Sequence, residues 1–360
     1  MKERIGIVTD NIFIMGGVQK VISILSDELL KYYDITIWSL EKEDAMPYYD
    51  FNPKINFEYV SSKKLRIREM ILITRKKIKK RVGEYKCLIA MGTIPGFILS
   101  MAMVGIKIPV IFSDHGALCN QLEDRKITLM RFLAAKLSKK IVALTNKTEK
   151  DYNRYFRIKK EKITTIYNPI ETKFLTRKVK YTPSKKIIIT VTRFGKEKGI
   201  DLLFNIAEKV LRKDKNIIWK VYGDGDLYKH YVSLATIKGI EKQLQLKGEL
   251  KKIEEIYDEA SLYALTSYRE GLPVVLLEAL GKNLPMISFD IETGPSEIIS
   301  NEKNGILIPK YDIDLYADKI LELLNNPLKL IKMSEDCEVK KSKFNLQEIA
   351  QKWYKVIETT

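Results

Sequence analysis

Two glutamates, Glu270 and Glu278, flank the stretch EGLPVVLLE within residues 266–278. A carboxylate can accept hydrogen bonds from several hydroxyls at once, so two of them side by side suit a ligand rich in hydroxyl groups. Pro273, between them, fits the first position of a helix, where a missing N–H costs nothing. The helix it would open, PVVLLEALGKN, ends by this reading at Lys282 or Asn283. The N–H groups of Val274, Val275 and Leu276 would then be free at its start, a site ready for a phosphate. The preceding run SLYALT (261–266) is short and apolar, as a buried parallel strand is. Glu270 therefore falls on the loop at a strand's carboxyl end, where open α/β sheets bind ligands. Glu278 falls about one and a half turns into the helix. Phosphate and many hydroxyls together describe a sugar nucleotide. Spacing alone leaves a second reading open, in which Glu278 is an exposed helix residue and Glu270 a loop charge.

The elements that must position these residues alternate strand and helix nearly throughout, which predicts parallel sheets with crossover helices. RIGIVTD (4–10) is the first strand, followed by a loop with Gly16-Gly17 and a helix from about Val18 to Leu30. Strands are expected at 34–40, 55–60, 108–113, 140–145 and 162–167, with helices at 126–137 and 147–155. Residues 171–185 (ETKFLTRKVKYTPSK) are charged and aperiodic and read as an interdomain linker. The alternation restarts with KIIITVT (186–192), a helix over 201–212, WKVYG (219–223), helices over 227–238 and near 251–257, then PMISFD, a helix from Pro295 and GILIP (305–309). The remainder reads as helices at 312–324, 327–342 and 345–357.

Composition narrows the class. The chain has 360 residues, about two domains' worth, and 45% hydrophobic with 30% charged residues is globular. Cys87, Cys119 and Cys337 form no C-x-x-C pair and leave one odd, which fits a reducing compartment. The start, MKERIGIVTD, becomes a strand at once, so no signal peptide is expected. Cys87 to Ile106 carries no charge and has the length of a spanning helix. Its Gly92, Pro95, Gly96 and Gly105 instead divide it into a strand (CLIAM), a turn (GTIPG) and a helix (FILSMAMVG) before the strand IPVIF. A formal net charge of +17 favours anionic partners. Ten basic residues crowd 63–81 against the single acid Glu69, with Ile67, Ile71, Ile78 and Val82 at helical spacing. This is a basic amphipathic helix, either packed on a sheet with a solvated outer face or touching an anionic membrane surface through residues 63–82. No nucleic acid partner is expected, because aromatic residues are not interleaved with these charges.

The two-glutamate stretch resembles the signature of retaining GT-B glycosyltransferases, above all family 4, also termed glycosyl transferases group 1. The resemblance implies an α/β GT-B fold, two Rossmann-like domains facing across a cleft. Residues 1–170 would form the acceptor-side domain, 171–185 the linker and 186–342 the nucleotide-sugar-binding domain. Residues 343–360, around Trp353, would be a C-terminal helix crossing back to the N-domain. Further pieces match the family in order. Gly16 and Gly17 lie where the backbone approaches the donor phosphates, and Arg193 and Lys198 in TRFGKEKGID are the cations that grip the diphosphate. His115 follows the N-domain's fifth strand, on the acceptor side. Asn168-Pro169 resembles the end of the N-domain, Leu250 in Gly248-Glu249-Leu250 the base-contacting loop, and 294–299 (GPSEII) a further family segment. By the same resemblance Glu270 with Gly271 and Leu272 contacts the donor sugar, the amides of Val274 and Val275 bind the diphosphate, and Glu278 holds the ribose.

Absences sharpen the reading. No G-x-G-x-x-G follows the first strand, which argues against a nicotinamide enzyme, and there is no P-loop motif. D-x-D occurs at Asp224-Gly225-Asp226, in a glycine turn, and at Asp312-Ile313-Asp314, which reads as a helix cap. No catalytic metal and no cofactor are expected. The expected activity is retaining hexosyl or N-acetylhexosaminyl transfer from a nucleoside diphosphate sugar, a UDP-sugar above all, with Glu270, His115, Arg193 and Lys198 as the catalytic set. The expected acceptor is a glycan. The basic segment favours a lipid-linked one, met at the cytoplasmic face of a bacterial membrane during surface-polysaccharide or glycan assembly. A soluble or protein acceptor, or a non-catalytic GT-B partner subunit, are the alternatives.

Overall fold

The computed structural model describes residues 2–176, 180–183, 185–250 and 252–360. The chain forms two compact units, Met1–Pro169 with Leu346–Thr360, and Ile170–Asn345.

The first unit runs β1 (Arg4–Thr9), α1 (Gly17–Leu29), β2 (Asp34–Glu41), β3 (Asn56–Ser61), α2 (Ile67–Lys79), β4 (Cys87–Met91), α3 (Thr93–Ala102), β5 (Val110–Asp114), α4 (Arg125–Leu137), β6 (Lys140–Ala143), α5 (Asn146–Phe156) and β7 (Ile163–Thr165). Its seven strands are parallel, in the order β3-β2-β1-β4-β5-β6-β7. The order reverses between β1 and β4, where Val8 lies opposite both Trp38 and Ala90. Strands covered on both faces need continuous apolar runs, and β1, β4 and β5 supply them. The charge-free run 87–106 is strand and helix, but α3 begins at Thr93 and takes in the expected turn residues Pro95 and Gly96. Proline is tolerated there because first-turn N–H groups have no intrahelical acceptor. Gly96 is required by packing, since a Cβ would lie 2.5 Å from the Phe112 ring. Val82, counted on the apolar face of the basic helix, lies beyond the end of α2 and is exposed.

The second unit runs β8 (Ile187–Val191), α6 (Ile200–Lys213), β9 (Ile218–Tyr222), α7 (Tyr228–Ile237), β10 (Leu244–Gly248), α8 (Ile256–Glu259), β11 (Leu262–Leu265), α9 (Val274–Gly281), β12 (Met286–Phe289), α10 (Pro295–Ile298), β13 (Gly305–Ile308), α11 (Ile313–Leu324) and α12 (Pro327–Lys341). Six parallel strands follow the order β10-β9-β8-β11-β12-β13, reversing between β8 and β11. The helix expected near 251–257 is the shorter α8; residue 251 itself lies outside the described residues.

Residues 171–185 are mostly exposed where described, as a linker is, but two aromatics anchor the segment on the second unit. Phe174 is fully buried against Tyr257, with ring centroids 5.5 Å apart, and the Tyr181 hydroxyl donates to the Ser261 carbonyl at 2.6 Å. Two aromatic anchors outweigh the surrounding charge; residues 177–179 and 184 of the segment lie outside the described residues. The last helix, α13 (Leu346–Glu358), belongs to the first unit and packs on α1 with Trp353 buried. Tyr33 and Lys86 donate to the Glu358 carboxylate at 2.5 and 3.0 Å, and Tyr354 lies 4.8 Å from Tyr32 between ring centroids.

Candidate active site

In the second unit the strand order reverses between β8 and β11, the place at which open sheets leave a crevice beyond their carboxyl ends. The loops leaving these two strands touch. Gly199 has φ +60°, and a Cβ there would lie 2.1 Å from the Thr266 carbonyl oxygen, so only glycine lets α6 start so close to β11. The Tyr268 N–H donates to the Glu197 carbonyl at 3.0 Å across the same junction. On the other side Gly294, at φ +99°, lies against Gly271 and Pro273; a Cβ would come within 2.8 Å of both. The Thr293 hydroxyl donates to the Glu270 carbonyl at 2.7 Å. The 267–273 loop is thus clamped from both neighbours.

Lys198 and Glu270 come together here. The ammonium lies 2.7 Å from Oε1 of Glu270, and the Ser267 hydroxyl donates to that same oxygen at 2.7 Å. Arg193 pairs with Glu197 and remains 62% exposed at its side chain. Burial pushes the Glu197 carboxyl up, but the bond from Arg193, a backbone N–H and the nearby cations more than offset it, leaving its pKa below the ordinary value. Each of the two predicted cations therefore has a carboxylate partner. Both remain reachable from solvent.

Helix α9 starts one residue later than expected. Pro273 is its N-cap, with extended backbone (ψ 114°), and Val274 is the first helical residue. The Leu276 N–H is taken by the Pro273 carbonyl at 3.1 Å, so the free-amide expectation narrows to Val274 and Val275, positions too early for an intrahelical acceptor. Glu278 is not an exposed helix residue. It is buried and accepts a bond from the Tyr257 hydroxyl. Burial, and then the Glu278 charge, push the Tyr257 phenol well above its ordinary pKa. Gly271 is half-buried and the Leu272 side chain is buried, so what Leu272 can offer a ligand is main chain. Leu250, beyond the end of β10, is exposed, and the Gly223 N–H donates to the Gly248 carbonyl beside it at 2.8 Å.

In the first unit Gly16 caps α1 in an extended conformation (φ −169°), and Gly17 is already helical, one residue before the expected start. A Cβ on Gly16 would lie 2.3 Å from Oε1 of Gln19. Gln19 donates to the Asn11 carbonyl at 2.8 Å, and the Asn11 amide to Glu43 at 2.6 Å, so the loop before α1 is tied to that helix and to the segment after β2. His115 follows β5 directly, half-buried, with Nε2 3.2 Å from the Ser113 hydroxyl. Burial, outweighing the Asp114 carboxylate beside it, lowers its pKa to about 4, so the imidazole is neutral. Behind it Asp114 and Arg131 form a wholly buried ion pair at 3.0 Å. The Tyr152 hydroxyl donates to Asp114 at 2.8 Å, the Gly116 N–H at 3.1 Å, and Arg131 reaches Thr93 at 3.0 Å.

Sequence reasoning missed Tyr257, Ser267, Thr293, Glu197 and the Asp114–Arg131 pair. Of these only Arg131 carried a signal, as a charge at an inward-facing phase of a helix. The D-x-D aspartates are engaged locally: Asp224 accepts from the Gly225 N–H at 2.8 Å, Asp312 caps α11 through the Leu315 N–H at 3.0 Å, and Asp314 pairs with Lys209 at 2.6 Å.

Two Rossmann-like parallel sheets, the second with cations, carboxylates and a helix start gathered at its reversal point, define a two-domain α/β protein of the nucleotide-handling type. Residues 15–174 match the Glycosyltransferase Family 4 model and residues 172–343 the Glycosyl transferases group 1 model. The chain belongs to the group 1 glycosyltransferases, of GT-B fold. It is 25% identical to the Erwinia amylovora amylovoran biosynthesis glycosyltransferase AmsD, over 88% of this chain and 89% of that one. It is 31% identical to the Staphylococcus aureus poly(ribitol-phosphate) alpha-N-acetylglucosaminyltransferase over 59% of this chain, and the match spans 42% of that longer protein. The crystal structure of Anabaena HepE in complex with UDP-glucose superposes with a TM-score of 0.84 over 99% of this chain and all of that one, at 14% identity, a likeness of fold.

Proposed function

We propose that this chain transfers a hexosyl or N-acetylhexosaminyl group, with retention, from a UDP-sugar to a glycan acceptor in bacterial surface-polysaccharide or related glycan assembly. The observation that carries the reading is the Lys198–Glu270 pair, 2.7 Å apart at the reversal point of the second sheet, on the loop that leads to the first two amides of α9. Arg193, Lys198 and the amides of Val274 and Val275 would hold the diphosphate. That group gains charge as the glycosidic bond breaks, so fixed cations stabilise it most at that moment. Glu270, with Gly271 and Leu272, would hold the donor sugar's hydroxyls, Glu278 the ribose, and Leu250 would lie along the base. Gly16 and Gly17 would admit the phosphates to close backbone approach. His115, neutral, would orient the sugar or acceptor through hydrogen bonds.

No carboxylate is assigned as a covalent nucleophile. The bond from the anomeric carbon to the phosphate oxygen breaks, the bond to the acceptor oxygen forms on the same face, and the acceptor proton passes to the departing phosphate. No metal ion takes part, so EDTA should leave the rate unchanged. The names of the relatives support the setting: one acts in amylovoran biosynthesis, another is an alpha-N-acetylglucosaminyltransferase, and HepE binds UDP-glucose. The acceptor would be lipid-linked at the cytoplasmic face of the membrane, with the basic segment 63–82 drawn to anionic lipid. Among the described residues no helix is long and apolar enough to cross a membrane, so this attachment would be peripheral.

Thermal unfolding with UDP, GDP, ADP and their sugars, on wild type and Arg193→Ala, tests the reading. A ligand at 100 times its dissociation constant adds about 2.7 kcal/mol of stability. The expected result is a shift with uridine compounds that is lost in the variant. No shift with any nucleotide would defeat it.

A further inference from the structure

Helices α2, α3 and α4 lie side by side on one face of the first unit's sheet. Arg75 of α2 donates to the carbonyls of Ala102 and Val104 at 2.8 and 2.6 Å, and Ser100 of α3 reaches the Ala134 carbonyl of α4 at 3.5 Å. The outward stripe of the middle helix is unusual. Ile94 and Met101 share its outward side with Val104, two residues past its end, while Ile98, Leu99 and Ala102 turn inward and Phe97 packs against the core. A covering helix ordinarily shows polar residues on that side. Here Ile94 is 42% and Val104 52% exposed, and no charge interrupts the stripe.

The flanking helices repeat one pattern. On α2, Leu72 is 66% exposed and shares its outward face with Arg68, Lys76 and Lys79. On α4, Leu129 is 57% exposed and shares its outward face with Arg125, Lys126 and Lys136. The only acid on the outward side of α2, Glu69, is engaged in capping the helix. An apolar ridge between two cationic flanks has the amphipathic composition of a surface that lies in a bilayer interface: the apolar side chains enter the acyl boundary and the cations meet anionic headgroups.

We propose that the outer face of α2, α3 and α4 is a bilayer-docking surface, with Ile94, Met101, Val104, Leu72 and Leu129 inserted below the headgroups of an anionic membrane. The inference builds on the proposed contact through 63–82 and changes its nature, from electrostatic attraction of one helix to insertion of a three-helix face. Charge complementarity selects the occupant: a neutral apolar partner would gain nothing from the rims of arginine and lysine.

The test uses the full chain with vesicles of phosphatidylcholine, alone or mixed with phosphatidylglycerol. Wild type should co-sediment with the mixed vesicles, and added salt should weaken but not abolish binding. Leu72→Glu with Leu129→Glu, both at exposed positions, should lower vesicle affinity about tenfold or more by putting charge where acyl chain should be, while the melting shift with UDP is retained. Val104→Trp supplies a depth reading, because the native Trp38, Trp219 and Trp353 are buried; its emission should shift to the blue on mixed vesicles and be quenched by brominated lipid. Wild-type binding that the double variant leaves unchanged, or indole emission of the Val104→Trp variant left unquenched, would overturn insertion and leave only the electrostatic contact. Wild type that ignores mixed vesicles would overturn both. Concentration-dependent self-association abolished by the double variant, without vesicle binding, would assign the face to a second copy of the chain instead.

Discussion

The polar groups at the ends of the two sheets are handled in opposite ways. Beyond β8 and β11 the charges stay near solvent: Arg193 is mostly exposed, and the Lys198 and Glu270 side chains are 25% and 11% accessible. Beyond β5 the charges are sealed, with Asp114 and Arg131 both wholly buried, and beside them lies the half-buried, neutral ring of His115. Long cations reachable by solvent can exchange a carboxylate partner for a phosphate. A buried ion pair cannot exchange, but it can fix the turn that carries a neutral hydrogen-bonding ring. The first arrangement suits a ligand that arrives and leaves charged, the second one that stays neutral.

Breaking the sealed pair should have the larger effect. Arg131→Met leaves the Asp114 carboxylate with only the Tyr152 hydroxyl, the Gly116 N–H and Thr93. Removing one partner of a buried pair costs about 3–5 kcal/mol, which should lower the melting temperature by roughly 10 °C. Replacing Asp114 as well, with leucine, should recover part of the loss, since a buried pair replaced by apolar residues is often nearly neutral. A single variant within about 1 kcal/mol of wild type, the range of surface pairs, would erase the distinction between the two sheet ends.

Lys198→Ala should show the reverse signature. Its pair with Glu270 is partly exposed, so the melt should move little, by no more than about 1 kcal/mol. The rate should fall by about 10²–10³, or ~2.7–4 kcal/mol, the loss found when a donor to a developing negative charge is removed. Steady-state turnover with a UDP-sugar donor measures it. A variant that is unstable yet turns over normally would move Lys198 from the chemistry to the scaffold.

The sequence was legible where burial dictated residue type. Parallel strands covered on both faces must be apolar runs, so the alternation that yields two α/β units could be read directly, and Glu270 could be placed on the loop after β11. The contacts that fix that loop could not. Thr293 reaches Glu270 across 23 positions and Tyr257 reaches Glu278 across 21, and no local pattern links residues so far apart. In the 171–185 segment the charges mask the two aromatics, Phe174 and Tyr181, that anchor it. The outward stripe of α3 was visible only as hydrophobicity; its exposure depends on which helices flank it, and that is set by the sheet order. Arg131 was the overlooked clue, a charge in phase with the buried Met130 and Ala134 of α4.

The smallest effect isolates His115. Its pKa of about 4 in the folded protein lies below the 6.5 of a free imidazole. Between those values the unfolded chain takes up a proton at this position that the folded chain refuses, so stability rises with pH across the window. The penalty is absent above about pH 6.5 and complete below about pH 4, where it amounts to at most about 3 kcal/mol. His115→Gln has no such term. Its stability relative to wild type should therefore improve as pH falls from 7 toward 4.5, while the carboxylates common to both proteins titrate alike and cancel in the difference. Melts of the two proteins across that range measure it. A difference that does not vary with pH would mean that the ring is not held neutral by its surroundings, and the contrast between a charged and a neutral sheet end would lose its second half. A difference that grows as expected would mean that the ring offers a ligand a neutral donor or acceptor down to about pH 4.5, the form suited to hydroxyls and not to phosphate.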